Sequence, residues 1–286
     1  NVLKESYKGK GKYLRVRSVE HSIKELIEAE KKYNPRIYCF ADDMITAYKD
    51  WFREFAARYK REIGLSYDCN LRPNLVNEEI ISLLKESGCT ELRIGVESGN
   101  DFIRNEILGR GISREQIVKA CQLCYEKGIK VYSFNMIGLP SESLEMMLDT
   151  VRLNAEIETS VNQVTIFYPY KKTYLFETCR KGNLINNVRK ICDCSKDTIL
   201  GFGFIRRNQI VFIQRYFRIL VKFYKFLKKF PEKISNPSRK SFEKLFFCGV
   251  SSTTLLPFLN NAMDFIMKNR HLASSARAVY RKFLKG

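Results

Sequence analysis

No apolar run in these 286 residues is long enough to cross a bilayer, and neither a G-x-G-x-x-G nor a Walker-type glycine motif occurs. The first absence excludes a membrane span, and the second argues against a doubly wound nucleotide-binding sheet. Cys192 and Cys194 form a lone pair with no second pair at zinc spacing, a weak metal signal. The nine cysteines are odd in number, irregularly spaced and accompanied by no signal-peptide pattern. That usage predicts reduced thiols and a cytoplasmic protein. No internal repeat is visible. Carboxylates are scarce in one place only. Residues 180–286 hold 5 Asp+Glu against 23 Lys+Arg, whereas residues 1–179 hold 26 against 27. The net charge of +19 therefore belongs almost wholly to the tail. A hydrophobic content of 45% with 28% charged residues describes a globular chain able to bury a large core.

What is present is alternation. Arg36–Phe40, Ile63–Tyr67, Leu92–Val96, Ile129–Phe134 and Val161–Phe167 read as strands, and helical patterns separate them. Asn77 and Gly88 bracket one helix, Ser113 and Gln116 form a capping box for another, and Gly128 ends it. A short helix is predicted around Asp101–Leu108. Such alternation implies parallel strands with right-handed crossovers.

Each strand runs out into polar or special residues: Ala41-Asp42-Asp43, Asp68 to Arg72, Glu97-Ser98-Gly99-Asn100, Asn135 to Pro140, and Tyr168-Pro169-Tyr170. A barrel or part-barrel brings such ends to one mouth, where these folds bind and react. A buried carboxylate without a partner is costly, so Glu97 is expected to face a shared pocket.

In this order and spacing, FADDM, GVESGN, RNEILGRG, FNMIGLPSES and FYPYKKT resemble radical SAM enzymes, most of all their cobalamin-binding branch. The resemblance spans roughly residues 1–180. It implies an α/β fold, a partial (β/α) TIM-like barrel, whose mouth holds a 4Fe–4S cluster and S-adenosylmethionine. The family's chemistry, cleavage to a 5′-deoxyadenosyl radical or methyl transfer through cobalamin, makes the expected activity that of a transferase or a rearranging enzyme. The family's C-x-x-x-C-x-x-C loop is not in this sequence, and five strands are visible where six are expected. The expectation is a fragment beginning just after the cluster loop, with the first strand, the cluster ligands and any cobalamin domain upstream. An electron donor is then an expected partner. Two smaller departures fall on the adenine side: Pro140-Ser141-Glu142-Ser143 replaces P-G-E-T, and Pro169-Tyr170-Lys171-Lys172-Thr173 replaces P-Y-P-G-T.

Nine residues are candidates for cofactor binding, eight through the resemblance and Arg72 through its place at a strand end, and each has a plainer structural reading. Asp42 and Asp43 suit the cofactor ammonium, or a cap on the following helix. Glu97 and Ser98 suit ribose hydroxyls or the methionine portion, while Glu97 would equally suit an ion pair with Arg72 or Arg110. Those two arginines suit the cofactor carboxylate, or the surface. Asn135, Gly138 and Tyr168 match the adenine side, and Gly138 could be a plain turn glycine. No catalytic residue is assigned. Cys121 and Cys124 lie on the apolar face of their helix, as core thiols do. His21 and His271 stand far from the strand-end set.

Beyond residue 182 a mostly helical, basic region is expected, giving domains 1–182 and 183–286. In Arg206–Lys229, Arg207, Gln214, Arg215, Arg218, Lys222, Lys225 and Lys229 fall on one face, opposite Ile213, Phe217, Leu220, Tyr224 and Leu227. The basic face suits a solvated helix or peripheral contact with an anionic membrane, and nucleic acid is not the expected partner. Two rival functions remain: a cluster-free barrel serving as a binding or scaffold module, and a membrane-surface protein working through the basic helix. The substrate, small-molecule or lipid-like, is not legible.

Overall fold

Several helices begin where a side chain can accept an otherwise orphaned backbone N–H. In the computed structural model of the protein, Asn77 accepts from Ile80 N at 2.9 Å, and Ser113 and Gln116 complete a reciprocal capping box. Gly88 and Gly128 then take the left-handed conformation, at φ 106° and 64°, where those helices give way to strands. The structure describes residues 7–11, 15–185, 197–231, 236–241, 243, 244, 249, 257 and 261. Cys192, Cys194, His271 and most of the expected basic region beyond residue 244 lie outside them.

In chain order the elements are α1 (Val19–Tyr33), β1 (Ile37–Cys39), α2 (Lys49–Glu62), β2 (Ser66–Leu71), a 3₁₀ turn (Pro73–Leu75), α3 (Glu78–Ser87) and β3 (Cys89–Glu97). A single-turn π-helix (Phe102–Ile107), α4 (Arg114–Glu126), β4 (Lys130–Ile137), α5 (Leu144–Glu156), β5 (Val161–Ile166), α6 (Tyr174–Lys181) and α7 (Phe204–Leu227) follow. The strands lie in the order β1-β2-β3-β4-β5 and every pair is parallel. Because the order never reverses, right-handed crossovers leave the helices on one face and the sheet curls into a half-barrel. The expected partial TIM-like barrel is therefore the fold.

The outer face is apolar. Tyr67, Cys69, Leu71, Leu92, Ile94 and Val96 meet Phe52, Phe55, Tyr59, Ile81, Leu84, Ile117, Cys121 and Cys124 in one buried cluster. Cys121 and Cys124 are core thiols, and burial pushes the Cys124 thiol up to about 12. A second cluster joins Ile137, Met147, Leu148, Val151 and Ile166 to Ile210, Ile213, Phe217, Leu220 and Tyr224 of α7. The helix that the sequence reading set in a separate region thus shares a core with α5 and β5.

Part of the basic face of α7 is spent on this docking. Arg218 Nε donates to Asn162 O at 3.2 Å, Lys225 Nζ to Thr159 O at 2.8 Å and Lys228 Nζ to Glu156 O at 3.2 Å. The Glu156 and Thr159 carbonyls lie at and just past the C-terminus of α5, the negative end of its dipole, and Asn162 belongs to β5. Arg207 pairs with Asp197. No helix among the described residues is long and apolar enough to cross a membrane.

At the start of α7, Arg206 Nη2 donates to Glu142 O at 2.7 Å and Leu139 O at 3.2 Å. Glu142 itself is buried and accepts from Gly138 N at 2.6 Å and Leu139 N at 3.1 Å, closing the turn after β4. Burial pushes its carboxyl from 4.5 up to about 8, against the two backbone donors and Arg206. A raised folded value means the native state holds a proton that the unfolded chain releases. Stability is then full below pH 4.5 and declines as pH rises through 8, by roughly 5 kcal/mol in all. Glu142→Gln keeps an oxygen for both donors and should flatten that stretch of the stability profile. Denaturant melts of both proteins from pH 4 to 9 check this, and parallel profiles would contradict it.

Candidate functional site

Strand alternation sends every second side chain to the inner face of the half-barrel. A closed barrel usually fills that space with branched apolar side chains. Here the inner wall is polar on all five strands. Arg93 of β3 is its centre: Nη2 lies 2.8 Å from Asp68 Oδ1 on β2, and Nη1 lies 2.9 Å from Cys39 Sγ on β1. The same guanidinium sits 5.8 Å from the Tyr132 ring on β4, and Tyr132 Oη donates to Gln163 Oε1 on β5 at 2.8 Å. One side chain from each strand forms this belt. The sequence reading had not singled out Arg93, Tyr132 or Gln163. Only Arg93 carried a local signal, a charged residue between two apolar ones in Leu92-Arg93-Ile94; Tyr132 and Gln163 each have a polar neighbour and stand out less.

Toward the strand C-termini the wall gathers more charged groups of both signs. Glu97, the last residue of β3, has φ 62° and sits at a register shift against β4. Its Oε1 lies 3.2 Å from Arg110 Nη2, and Arg72 Nη2 donates to Arg110 O at 2.8 Å. Glu97 is largely buried, which raises its carboxyl, and Arg110 pulls it partly back. Gly95 lies directly beneath: a Cβ there would stand 2.6 Å from Glu97 Oε1 and 2.8 Å from Arg110 Nη2. At this point two guanidinium groups gather around one carboxylate. Arg72 Nε and Arg110 Nε are both buried without a hydrogen-bond partner.

The nine candidate residues therefore fall into two sets. Glu97, Arg110 and Arg72 meet. Asn70 of β2 donates to Asp42 O at 3.0 Å, which ties the Asp42–Asp43 loop to the same end of the sheet. Both aspartates are exposed, and neither caps α2, whose N-cap is Tyr48 with no side-chain bond. Tyr168, past the end of β5, packs its ring 5.1 Å from that of Tyr170.

Three others turn toward the helices. Ser98 is fully buried, accepts from Asn100 N at 3.2 Å and lies 3.4 Å from Thr150 Oγ1 of α5. Asn135 donates to Ser133 Oγ and Gln163 O, both at 3.0 Å, and accepts from Asn154 Nδ2 at 2.6 Å. Gly138, at φ 77°, admits Ile210 of α7, which a Cβ would approach to 3.0 Å. Each of these three is occupied in binding the sheet to its helices, so a role beside a ligand is not what their contacts favour.

The donor set suits a ligand bearing a carboxylate, a cation and vicinal hydroxyls: arginine forks for the first, Asp42 and Asp43 for the second, Glu97 for the third. S-adenosylmethionine has all three. A cluster is different. No group of three or more His, Cys, Asp or Glu among the described residues could hold a metal.

Comparison with known proteins gives the same direction. Residues 5–153 match the family model described as "Radical SAM superfamily". "Uncharacterized methyltransferase PH0819" from Pyrococcus horikoshii is 31% identical over 61% of this chain and 38% of its own length. "Cytidylyl-2-hydroxyethylphosphonate methyltransferase" from Streptomyces wedmorensis is 28% identical over 48% of this chain and 27% of its own length. The chain spans from about a quarter to about two fifths of these two relatives. Among solved structures, the cobalamin-dependent S-adenosylmethionine radical enzyme OxsB is similar at TM-score 0.54 and 15% identity, over 89% of this chain and 46% of that one. The radical S-adenosylmethionine methyltransferase TsrM from Kitasatospora setae is similar at 0.50 and 17%, over 57% and 34%. At such identities the two structures speak for the fold alone.

Proposed function

This chain belongs to the radical SAM superfamily, and from that premise we propose that its half-barrel holds S-adenosylmethionine at the Glu97–Arg110–Arg72 end of the inner wall, in an enzyme that transfers methyl groups or rearranges carbon centres. When bound, S-adenosylmethionine supplies a sulfonium carrying a methyl and an adenosyl group. The chain's own residues bind and orient it. Glu97 keeps acceptor capacity beyond its contact with Arg110 and takes the ribose hydroxyls. Arg110 and Arg72 take the methionine carboxylate through the exposed parts of their guanidinium groups. Asp42 and Asp43 face the ammonium, and Tyr168 lies on the adenine side. The polar belt of Arg93, Asp68, Tyr132 and Gln163 orients a polar substrate deeper in the half-barrel. No residue is assigned to a cluster, and cobalamin would be held by a part of the whole protein outside this chain. An electron donor belongs to the same reading.

The observation that carries this is the meeting of Glu97, Arg110 and Arg72 at one strand end, over a glycine that leaves room for them. The test is calorimetric titration with S-adenosylhomocysteine, which needs no cluster chemistry. Binding is expected, with Glu97→Gln weakening it about tenfold to a hundredfold, the worth of one or two hydrogen bonds to a charged acceptor. Equal affinity of the variant would remove Glu97 from the site.

A further inference from the structure

Arg104 is the largest completely buried side chain among the described residues, and it belongs to the π-helix between β3 and α4. An isolated arginine at that depth would be very costly, so its partners matter. Its Nε donates to Ile112 O at 2.7 Å and its Nη1 to Ser98 O at 2.8 Å, while Nη2 pairs with Asp101. Its own carbonyl accepts from Arg110 N at 3.1 Å. Asn105 Oδ1 accepts from Ile112 N at 3.0 Å, fixing the same stretch from the other side.

These contacts have a common geometry. Ser98 follows Glu97 directly, so the grip on its carbonyl holds the chain at the left-handed turn that aims Glu97. Ile112 lies two residues past Arg110, and the backbone of Arg110 hangs on Arg104 itself. One residue thereby fixes both members of the Glu97–Arg110 pair without touching either side chain. Single-turn π-helices are rare and often mark functional sites, and here the wide turn brings the guanidinium inward.

We propose that Arg104 is a positioning residue that sets the distance between the Glu97 carboxylate and the Arg110 guanidinium, and so prepares the end of the inner wall to receive a ligand with a carboxylate and hydroxyls. The residue contacts no ligand in this scheme and acts only through the two side chains it places. The geometric claim stands on the contacts above. Its consequence for S-adenosylmethionine rests on the proposed function, so the test reads the pair directly and then, separately, the ligand.

The direct readout is the Glu97 carboxyl titration, followed by carbon NMR of glutamate-labelled protein without ligand. Arg110 lowers the Glu97 value in the wild type. In Arg104→Lys, whose single ammonium cannot span Ser98 O and Ile112 O, the midpoint should rise by about half a pH unit or more. Asp101→Asn removes the exposed partner of Arg104 but leaves both carbonyl grips, and should leave the midpoint in place. An unmoved midpoint in folded Arg104→Lys would overturn the proposal, as would an equal rise in both variants. Should Arg104→Lys not fold, hydrogen exchange on the wild type decides. The Arg110 and Arg104 amides, which donate to Arg104 O and Asn100 O, should open together. An Arg110 amide exchanging freely beside a protected Arg104 amide would overturn the proposal. S-adenosylhomocysteine titration completes the cycle: Arg104→Lys added to a Glu97→Gln, Arg110→Ala background, where both placed side chains are already gone, should weaken binding no further. Additive losses would place Arg104 in a role of its own. Failure of the wild type to bind would count against the cofactor reading and leave the Glu97 readout to judge Arg104.

Discussion

Gly99→Ala should destabilise the protein by more than about 3 kcal/mol, lowering the melting temperature by roughly 10 °C. A Cβ at that position would stand 2.1 Å from Asp149 O and 2.6 Å from Thr150 Cα. Both belong to the backbone of α5 and have no rotamer by which to withdraw. The strand end and the helix would have to part, and with them the bond from Gly99 N to Thr150 Oγ1, now 2.9 Å. Thermal or denaturant unfolding checks this directly. A variant as stable as the wild type would mean that α5 does not press on the end of β3 as described.

Gly95→Ala should have the opposite signature. The atoms a Cβ would meet, Glu97 Oε1 at 2.6 Å and Arg110 Nη2 at 2.8 Å, are the far ends of flexible side chains and can move aside. Stability should change by less than about 1 kcal/mol. The pair itself must shift, and a site set for a bidentate ligand tolerates little displacement. S-adenosylhomocysteine affinity should fall about tenfold or more. Melting temperature and calorimetry on the same preparation separate the two effects. Unchanged affinity with an intact fold would show that the ligand does not lie over Gly95. Two glycines four residues apart thus divide the region, one serving the scaffold and the other the site.

Much of this arrangement was legible in the residues. The caps at Asn77 and Ser113 and the glycine stops follow from local chemistry that the tertiary structure does not override, and the strand–helix alternation carried the parallel pairing. The apolar face of α7 was legible for the same reason: a 3.6-residue period survives whatever it packs against. The use of its cations was not, because their acceptors are the carbonyls of Thr159, Asn162 and Glu156, which no side-chain pattern announces.

At the candidate site, strand-end polarity found Glu97, Arg110 and Arg72 but could not tell which way each neighbour turns. One residue of offset reverses the face. Glu97 looks inward, and Ser98 looks into α5. On β4, Asn135 turns to the helix side while Tyr132 faces inward. The inner belt was missed because attention fell on strand ends rather than on alternate positions within strands. Arg93 and Asp68 each stand between apolar neighbours and were available to such a reading. Arg104 was not: a buried arginine in a short, aperiodic turn gives no pattern until the carbonyls around it have been placed.

The most direct measurement of the central claim is a crystal structure of this chain with S-adenosylhomocysteine. The account expects the ribose hydroxyls within hydrogen-bond reach of Glu97 and the carboxylate against Arg110 and Arg72, at the C-terminal end of the inner wall. Ligand bound elsewhere, or the same polar wall left without ligand at a concentration that saturates the protein in solution, would contradict it.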